Sequence, residues 1–345
     1  MARKMLGIDF GTSSLKIYKK DEGIVLDEKT VIAVANKTEL IAGGNDAYEM
    51  LEKAPANISV TYPIHNGVVA DIENMQKLLD YFLSLVLRKS RRHSHYDYIL
   101  AVPTDITEVE RKAFYDLVAN SKGRPKDITM IEKPIAAALG MGLDIGKAKG
   151  VMTVDIGADT TEISIMSLGG IVISTLLSVG GRKMEESIKL KVKKKCNLLI
   201  GDRTAEVIKK QLGCAYETEG ESIKICGRNV VSGLPSEMEV DGAMIYSAIK
   251  EHLSAIVDAI RVILERTPPE ISSDIIESGI YLTGGSANIR RLDELIHEET
   301  ELRVNFDPDS ECCVVKGLGN IIENPFADTL HKSRRQSEHH TKPRK

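Results

Sequence analysis

The sequence has no cysteine pair in CxxC spacing and no apolar run long enough to cross a membrane. Its five cysteines, at positions 196, 214, 226, 312 and 313, form an odd set, which argues for reduced thiols and against a disulfide framework or a zinc site. The most apolar stretch, residues 169–179, is far shorter than the roughly 20 residues that a membrane-spanning helix needs. A strand pattern begins almost at the first residue, so we expect no signal peptide.

The charge and the apolar content exclude two broad classes of protein. Of the 345 residues, 42 % are hydrophobic and 28 % are charged, which is ordinary usage for globular domains. This apolar fraction is too high for disorder of the whole chain, and the length predicts two or more domains. The formal net charge of −4 argues against nucleic acid as a partner of the chain as a whole.

Short β patterns alternate with amphipathic helix patterns, which indicates an α/β protein. Pro134 fits the first turn of a helix, because its missing N–H costs nothing there. The apolar spacing and the capping residues predict further helices over 71–89, from the Thr107–Glu110 capping box to about 123, over 241–266, and from the Gly284-Gly285 turn to about 299.

The opening of the chain is repeated near its middle. A strand that leads into Asp9-x-Gly11, a hydroxyl-rich turn and a second strand matches a strand that leads into Asp155-x-Gly157, a Thr-containing turn and a second strand. An internal repeat of this kind indicates two domains built on one plan.

Each Asp-x-Gly turn has the chemistry to hold a phosphate group. Glycine lets the backbone approach a ligand closely, and the N–H groups and hydroxyls after it form a nest for phosphate oxygens. The aspartate can hold Mg²⁺ through the water molecules that this ion retains. One such turn is weak evidence, but two that face each other would clamp the phosphates of a nucleotide from both sides. Gly284-Gly285 offers a third close approach, suited to an adenosine or its α-phosphate.

The chain resembles the bacterial actin family and, within it, the MreB family of rod-shape filament proteins. The matching segments lie between about Leu6 and Asn320 and include GIDFGT, GVVADIENM, IEKPIAAALG, NLLIGDRTAEVIK, ERTPPE and DIIESGIYLTGG. The resemblance implies an α/β, actin-like (ribonuclease H-like, duplicated) fold with two lobes and four subdomains around a cleft for ATP and Mg²⁺. The implied subdomains are IA (1–30, 72–140 and 314–325), IB (31–71), IIA (141–182 and 242–313) and IIB (183–241), followed by a basic disordered tail (326–345).

The resemblance also assigns residues to the cleft. Asp9 and Asp155 would hold the water-coordinated Mg²⁺, and Thr160 would help to position the attacking water. Each candidate also has an ordinary reading, as a turn cap or a solvated helix face, but their joint spacing favours ATP binding. The candidates for nucleotide contact are two phosphate turns (Thr12, Ser13 and Ser14; Ala158, Asp159 and Thr160), a ribose and adenine segment (Glu206, Val207, Ile208 and Lys209) and an adenosine segment (Gly284, Gly285, Ser286, Ala287 and Asn288).

Three residues of the expected nucleotide site depart from the family pattern. Lys133 stands where the family has a glutamate that orients the attacking water, and an ammonium has no lone pair with which to accept a hydrogen bond. Asp159 adds a negative charge to a turn that is glycine-rich in the family. Because these two changes have opposite signs, we expect Lys133 and Asp159 to form an ion pair. Lys16 on the second strand is either a solvated side chain or a phosphate contact.

Two basic segments break the acidic average and favour contact with anionic lipid. The basic loop carries Arg88, Lys89, Arg91 and Arg92 without an acidic residue, and the tail from Thr329 is rich in Lys, Arg and His. Cations beside a membrane contribute about 1 kcal/mol each against anionic lipid. The alternative for both segments is solubilising surface charge.

The expectation that follows is an ATP-binding cytoskeletal subunit that polymerises, with itself or with MreB paralogues, in the cytoplasm at the inner face of the cell membrane. It would help to set cell shape by organising cell-wall elongation proteins, with slow or absent ATP hydrolysis. Two alternatives stay open: a hydrolysis-deficient scaffold that co-assembles with a competent paralogue, and a small-molecule kinase of the same fold. Lys133 argues against the kinase, because it removes the obvious carboxylate base for an acceptor hydroxyl.

Overall fold

The computed structural model describes residues 4–87 and 95–324 of the chain. Its strands are β1 (Met5–Phe10), β2 (Ser14–Lys19), β3 (Gly23–Lys29), β4 (Ile32–Ala35), β5 (Glu39–Gly43), β6 (Ile58–Thr61), β7 (Ile64–His65), β8 (Val68–Val69), β9 (Tyr96–Val102), β10 (Pro125–Glu132), β11 (Val151–Ile156), β12 (Thr161–Ser167), β13 (Gly170–Leu177), β14 (Leu198–Leu199), β15 (Ser222–Asn229), β16 (Pro235–Asp241), β17 (Ile280–Thr283) and β18 (Val304–Phe306).

The helices alternate with these strands, as the sequence patterns predict. They are α1 (Asn45–Glu49), α2 (Ile72–Val86), α3 (Glu108–Ala119), α4 (Lys133–Gly140), α5 (Gly181–Cys196), α6 (Asp202–Leu212), α7 (Gly242–Glu265), α8 (Pro269–Ser278), α9 (Leu292–Thr300) and α10 (Cys313–Glu323), with 3₁₀ turns at Gly285–Asn288 and Ser310–Cys312.

Two five-stranded sheets share one topology. The first has the order β10-β9-β1-β2-β3, in which β1 is antiparallel to β2 and parallel to β9. The second has the order β13-β12-β11-β17-β18, in which β11 is antiparallel to β12 and parallel to β17. β11 therefore takes the place of β1, and the internal repeat read from the sequence is confirmed. Three-stranded sheets (β5-β4-β6 and β14-β15-β16) add to the two halves.

The strand register gives each Asp-x-Gly aspartate one partner across the sheet. Asp9 lies opposite Lys16, and Asp155 lies opposite Glu162. Directly opposed residues of an antiparallel pair share a sheet face. One half of the repeat thus presents a carboxylate beside an ammonium, and the other half presents two carboxylates.

Each five-stranded sheet has its own apolar core, so the chain forms two lobes. Phe10, Phe82 and Phe114 are fully buried in the core of the first lobe. Ile188 and Ile256 belong to the core of the second lobe. Helices pack against these sheets, which accounts for the nearly continuous apolar sequence of central strands such as β9.

The predicted starts of α2, α3 and α7 are confirmed, whereas α2 ends at Val86 and α3 at Ala119, a few residues before their predicted ends. The Asp71 carboxylate caps α2 by accepting from the N–H of Asn74 over 3.0 Å, and Thr107 and Glu110 form the capping box of α3. The helix predicted after Gly284-Gly285 is divided instead into a 3₁₀ turn and α9, because Arg291 adopts a left-handed φ of 59° between them.

The helices α4 and α10 cross with their backbones in contact. A Cβ atom on Gly140 would lie 1.8 Å from the carbonyl oxygen of Cys313, and one on Gly317 would lie 1.7 Å from that of Ala136. Only glycine permits so close a crossing. Because Lys133 is the first residue of α4, the crossing also fixes the backbone from which the Lys133 side chain enters the space between the lobes.

Within the two described ranges, no helix is both long and apolar enough to cross a bilayer. The basic loop (Arg88, Lys89, Arg91 and Arg92) and the tail at 326–345 lie outside the described residues, so their contact with lipid stays a prediction. The boundaries of the four subdomains also stay a prediction.

Candidate functional site

The two Asp-x-Gly turns line one cleft, of about 400 Å³, between the two lobes. The β1–β2 turn contributes Gly11 from the first lobe, and the β11–β12 turn contributes Gly157 from the second. The loop after β17 forms another wall with Gly284 and Gly285. The repeat therefore brings together the three close backbone approaches that the sequence predicts.

Most of the residues assigned to the cleft do line it: Asp9, Thr12, Ser13, Ser14, Lys16, Lys133, Asp155, Ala158, Thr160, Glu206, Lys209, Gly284, Gly285, Ser286 and Asn288. Four do not, namely Asp159, Val207, Ile208 and Ala287, and the prediction that they line it is wrong. Ile208 and Ala287 are buried in the core of the second lobe, whereas Val207 is 49 % exposed. On α6 the reason is helix periodicity, because residues three or four apart share a face of a helix. Glu206, Lys209 and Lys210 of this helix line the cleft.

Lys16 is buried in the wall of the cleft, with only 4 % of its surface exposed. Its ammonium donates a hydrogen bond to the Ser14 hydroxyl over 2.5 Å and lies 3.4 Å from the Asp27 carboxylate. The interpretation of Lys16 as a solvated strand residue is therefore wrong. The side chain brings a positive charge to the first turn, and its contact with phosphate stays a prediction.

Lys133 pairs with Asp9, so the predicted Lys133–Asp159 ion pair is wrong. Its Nζ lies 3.1 Å from Asp9 Oδ1 and donates to the carbonyl oxygen of Phe10 over 3.3 Å. The side chain thus turns to the end of β1, within its own lobe. Burial by itself would lower the pKa of Lys133, but the carboxylates of Asp9 and Asp155 outweigh burial and raise it. The ammonium therefore stays charged.

Asp155 is the matching carboxylate of the second lobe. Burial raises the pKa of Asp155 to about 6; the charge of Lys133 opposes this shift, and that of Asp9 adds to it. Its environment is therefore poor in positive charge compared with that of Asp9, which has Lys133 at ion-pair distance.

Arg182, which sequence analysis missed, balances the charge of Asp159. Its Nη1 lies 3.2 Å from Asp159 Oδ1, and its guanidinium stacks 3.8 Å from the centre of the Tyr62 ring. It also donates to the carbonyl oxygen of Thr12 over 3.4 Å, so one side chain contacts both turns. The N–H of Asn66 donates to Asp159 Oδ2 over 2.7 Å. The sequence does contain a signal for this residue, because Arg182 directly follows the glycine pair Gly180-Gly181 at the start of a helix pattern.

Glu162 is a second cleft residue that sequence analysis missed. It is buried, and its Oε1 accepts hydrogen bonds from the N–H and the hydroxyl of Thr104 over 2.8 and 2.5 Å. Burial raises the pKa of Glu162 to about 7, although the Thr104 hydrogen bonds lower it. Its position could have been found, because Glu162 follows Asp155 by the same interval at which Lys16 follows Asp9.

Glu206 joins the two lobes at the edge of the cleft. It accepts a hydrogen bond from the Tyr48 hydroxyl and forms ion pairs with Lys29 at 3.3 Å and Lys210 at 2.8 Å. Burial would raise the pKa of Glu206, but the Lys210 and Tyr48 hydrogen bonds and the Lys29 charge outweigh burial and lower it to about 2. Since Tyr48 and Lys29 belong to the first lobe, this ionised carboxylate holds the lobes together.

The loop after β17 packs directly against the end of β11, where the second turn begins. Gly284 has a left-handed φ of 91°, and a Cβ atom there would lie 2.3 Å from Asp155 Oδ1 and 2.5 Å from the carbonyl oxygen of Ile156. The next turn is fixed by Ser286, whose hydroxyl donates to the carbonyl of Gly157 over 2.9 Å. Glycine is therefore required at 284 for the third wall of the cleft.

The charge beside Asp9 disfavours the hydrated Mg²⁺ ion that the resemblance implies. Among the described residues, no group of three or more His, Cys, Asp or Glu side chains is placed to share a metal. The Lys133 ammonium already lies within hydrogen-bonding distance of Asp9 Oδ1. A hydrated divalent ion would need the same space, and it would meet a like charge there.

The arrangement can bind a chain of phosphates, but it lacks an acceptor for water at the position that the resemblance assigns. Lys16, Lys133 and Arg182 bring positive charge to the two turns, beside backbone N–H groups. The ammonium of Lys133 only donates hydrogen bonds. We therefore expect binding of an anionic ligand without efficient activation of water.

Comparison with known proteins agrees with the fold. The family described as MreB/Mbl protein matches residues 3–329. The cell shape-determining protein MreB of Escherichia coli (strain K12) is 39 % identical over 324 residues, which cover 92 % of this chain and 93 % of the relative. The cell shape-determining protein Mbl of Bacillus subtilis (strain 168) is 37 % identical over 326 residues, covering 94 % and 97 %.

A solved structure gives the same result in three dimensions. The crystal structure of MreB 5 of Spiroplasma citri bound to AMPPNP superposes with a TM-score of 0.88 at 32 % identity, covering 98 % of this chain and 99 % of that one. The expected α/β, actin-like fold is thereby confirmed. On the matched family, the relatives and the shared fold, the chain belongs to the MreB/Mbl family.

Proposed function

We propose that the chain is an actin-like cytoskeletal subunit that binds ATP or ADP in the cleft and polymerises, with occupancy rather than turnover controlling assembly. The observation that carries this proposal is the pair of Asp-x-Gly turns that line one cleft from two lobes, with cationic side chains at both. Structures of the Spiroplasma citri relative bound to AMPPNP and to ADP support a nucleotide as the ligand.

The charged side chains of the cleft and the glycine turns that bring its backbone close to the ligand set the position of the nucleotide. Its phosphates lie between the first turn (12–14) and the second (158–160), where Lys16 and Arg182 supply positive charge. Its nucleoside lies between the loop at 284–288 and the Glu206–Lys209 face of α6. Helix and loop N–H groups near the phosphates add to the attraction.

Hydrolysis is slow or absent in this proposal. Thr160 lines the cleft, but the side chain expected to accept a hydrogen bond from the attacking water is replaced by Lys133, which pairs with Asp9. The chain then acts either as a filament subunit in its own right or as a scaffold that co-assembles with a competent paralogue.

The filaments lie at the inner face of the cell membrane and help to set cell shape together with cell-wall elongation proteins. Two observations support this part: the relatives are named as cell shape-determining proteins, and the basic loop offers four cations to anionic lipid.

The first test is a binding titration with a matched control. ATP and ADP are titrated into wild-type protein and into Lys16→Met and Lys19→Met variants. Lys19 lies on the same strand as Lys16 but pairs with Glu22 at 2.7 Å and does not line the cleft. We expect Lys16→Met to bind about tenfold more weakly, equivalent to about 1.4 kcal/mol, and Lys19→Met to bind like wild type. Equal affinities of all three proteins would contradict the proposed site.

The second test is assembly. Sedimentation and electron microscopy are carried out with ATP, ADP, a nonhydrolysable analogue and no nucleotide, alongside phosphate release. We expect filaments with ATP and with the analogue alike. Monomers under every nucleotide and lipid condition would refute the filament proposal.

A further inference from the structure

A side-chain cation lies against the aspartate of the first Asp-x-Gly turn. The Lys133 ammonium lies 3.1 Å from Asp9 Oδ1 and 3.3 Å from the carbonyl oxygen of Phe10, and both charged side chains are largely shielded from solvent. An ammonium donates three hydrogen bonds, as the water molecules around a magnesium ion donate to carboxylates. At ion-pair distance it balances the charge of Asp9, as a hydrated ion would, although the buried Asp9 Oδ1 accepts no hydrogen bond.

The backbone that carries this cation is fixed. Lys133 opens α4, and α4 is locked to α10 by the glycine crossing described above. Its ammonium is held by the ion pair with Asp9 and by the hydrogen bond to the carbonyl oxygen of Phe10. A divalent ion brought to Asp9 would have to displace the ammonium or lie beside it, and both outcomes are opposed by charge.

Two further side chains, Lys16 and Arg182, supply positive charge for a chain of phosphates. Lys16 lies against Ser14 of the first turn, at 2.5 Å. Arg182 lies against Asp159 of the second turn, at 3.2 Å. Arginine suits phosphate because its planar group presents several donors at once.

We propose that Lys133 replaces the divalent metal in this cleft, so that the nucleotide binds without Mg²⁺. This inference rests on the proposed nucleotide site. The tethered ammonium compensates the charge of Asp9 and Asp155, and together with Lys16 and Arg182 it supplies the positive charge for the phosphates. The protein therefore binds free nucleotide and its magnesium complex alike.

The experiment compares nucleotide affinity in excess Mg²⁺ with affinity in excess EDTA at matched ionic strength. For wild-type protein we expect the two dissociation constants of ADP, and those of ATP, to agree within about threefold, where a tenfold difference would amount to about 1.4 kcal/mol. For Lys133→Glu, which removes the cation and adds a carboxylate, we expect Mg²⁺ to tighten binding by at least about tenfold. Lys133→Arg, which keeps the charge, should bind equally in both buffers.

The matched control is Lys224→Met, an exposed lysine whose nearest ion-pair partner, Glu237, is 4.0 Å away and which lies outside the cleft; it should behave like wild type. Wild-type binding that is ten times tighter in Mg²⁺ would overturn the inference and leave the proposed function standing. Absence of binding in both buffers would overturn the proposed function and this inference with it. The comparison of wild-type affinities in Mg²⁺ and in EDTA tests the inference even if Lys133→Glu does not fold.

Discussion

Replacing Glu206 by glutamine is expected to loosen the contact between the lobes. Glutamine keeps the shape of the side chain and an oxygen that can accept from Tyr48, but it loses the ion pairs with Lys29 and Lys210. The neighbouring pair of Arg203 with Glu49, at 2.7 and 2.8 Å, also crosses between the lobes and stays intact. The variant therefore weakens the contact without removing it.

The size of the effect follows from the pKa of Glu206. That pKa falls from an ordinary 4.5 to about 2 in the folded protein, and each unit is worth about 1.4 kcal/mol. The upper bound is then about 3 kcal/mol, and since Lys210 is 62 % exposed, screening by water brings the expected loss to about 1–2 kcal/mol. Because the folded pKa is depressed, this stability is fully present above about pH 4.5 and is lost as the pH falls towards 2.

The assay is urea unfolding of nucleotide-free wild type and Glu206→Gln between pH 7 and pH 3. The difference in unfolding free energy should be largest at pH 7 and should shrink as the pH falls below about 4.5. Small-angle scattering at pH 7 should show a larger radius of gyration for the variant, because the cleft opens. The control is Glu237→Gln, an exposed glutamate of the same lobe, which should change neither quantity. A Glu206→Gln protein as stable and as compact as wild type at pH 7 would refute the reasoning.

Three further predictions concern hydrolysis, packing and lipid. Lys133→Glu should raise phosphate release in Mg²⁺ buffer by about 10²-fold, the lower range for a group that activates water, whereas Lys133→Met should not; wild-type turnover as fast as that of Lys133→Glu would contradict this. Gly317→Ala should lower the free energy of unfolding in urea by about 3 kcal/mol or more, because the added Cβ would overlap the Ala136 carbonyl. The control Gly146→Ala should be tolerated, since its Cβ would meet nothing closer than 3.4 Å, and equal stability of the two variants would show that the crossing is not rigid. Replacing all four cations of the basic loop by serine should abolish salt-sensitive binding to anionic vesicles, and retained binding in a flotation assay would exclude this loop as the lipid contact.

The repeat and its turns could be predicted from sequence because their signals are local. An apolar strand, Asp-x-Gly and a hydroxyl-rich turn occupy consecutive residues, so the pattern that specifies the fold and the pattern that lines the cleft coincide. The caps of α2 and α3 are local in the same sense, since each depends on residues three apart.

The ion pairs could not be predicted, because charge alone does not say which partner lies within reach. Opposite signs at Lys133 and Asp159 suggested a pair, but Lys133 turns to Asp9 within its own lobe, and Asp159 is met by Arg182 from α5. The wrong prediction that Val207 lines the cleft has another cause. A run of consecutive residues was assigned to one wall of the cleft, although consecutive residues of a helix point to different faces.

The divergence between Lys16 and Glu162 gives the cleft a direction. If two halves of one plan had kept the same residue opposite each aspartate, a ligand between them would meet equivalent half-sites and could bind either way round. Here the residue opposite the aspartate is a lysine in one half-site and a glutamate in the other. A molecule with an anionic tail and a neutral head therefore has a single favourable orientation, and a pseudo-symmetric scaffold becomes a receptor that distinguishes the two ends of its ligand.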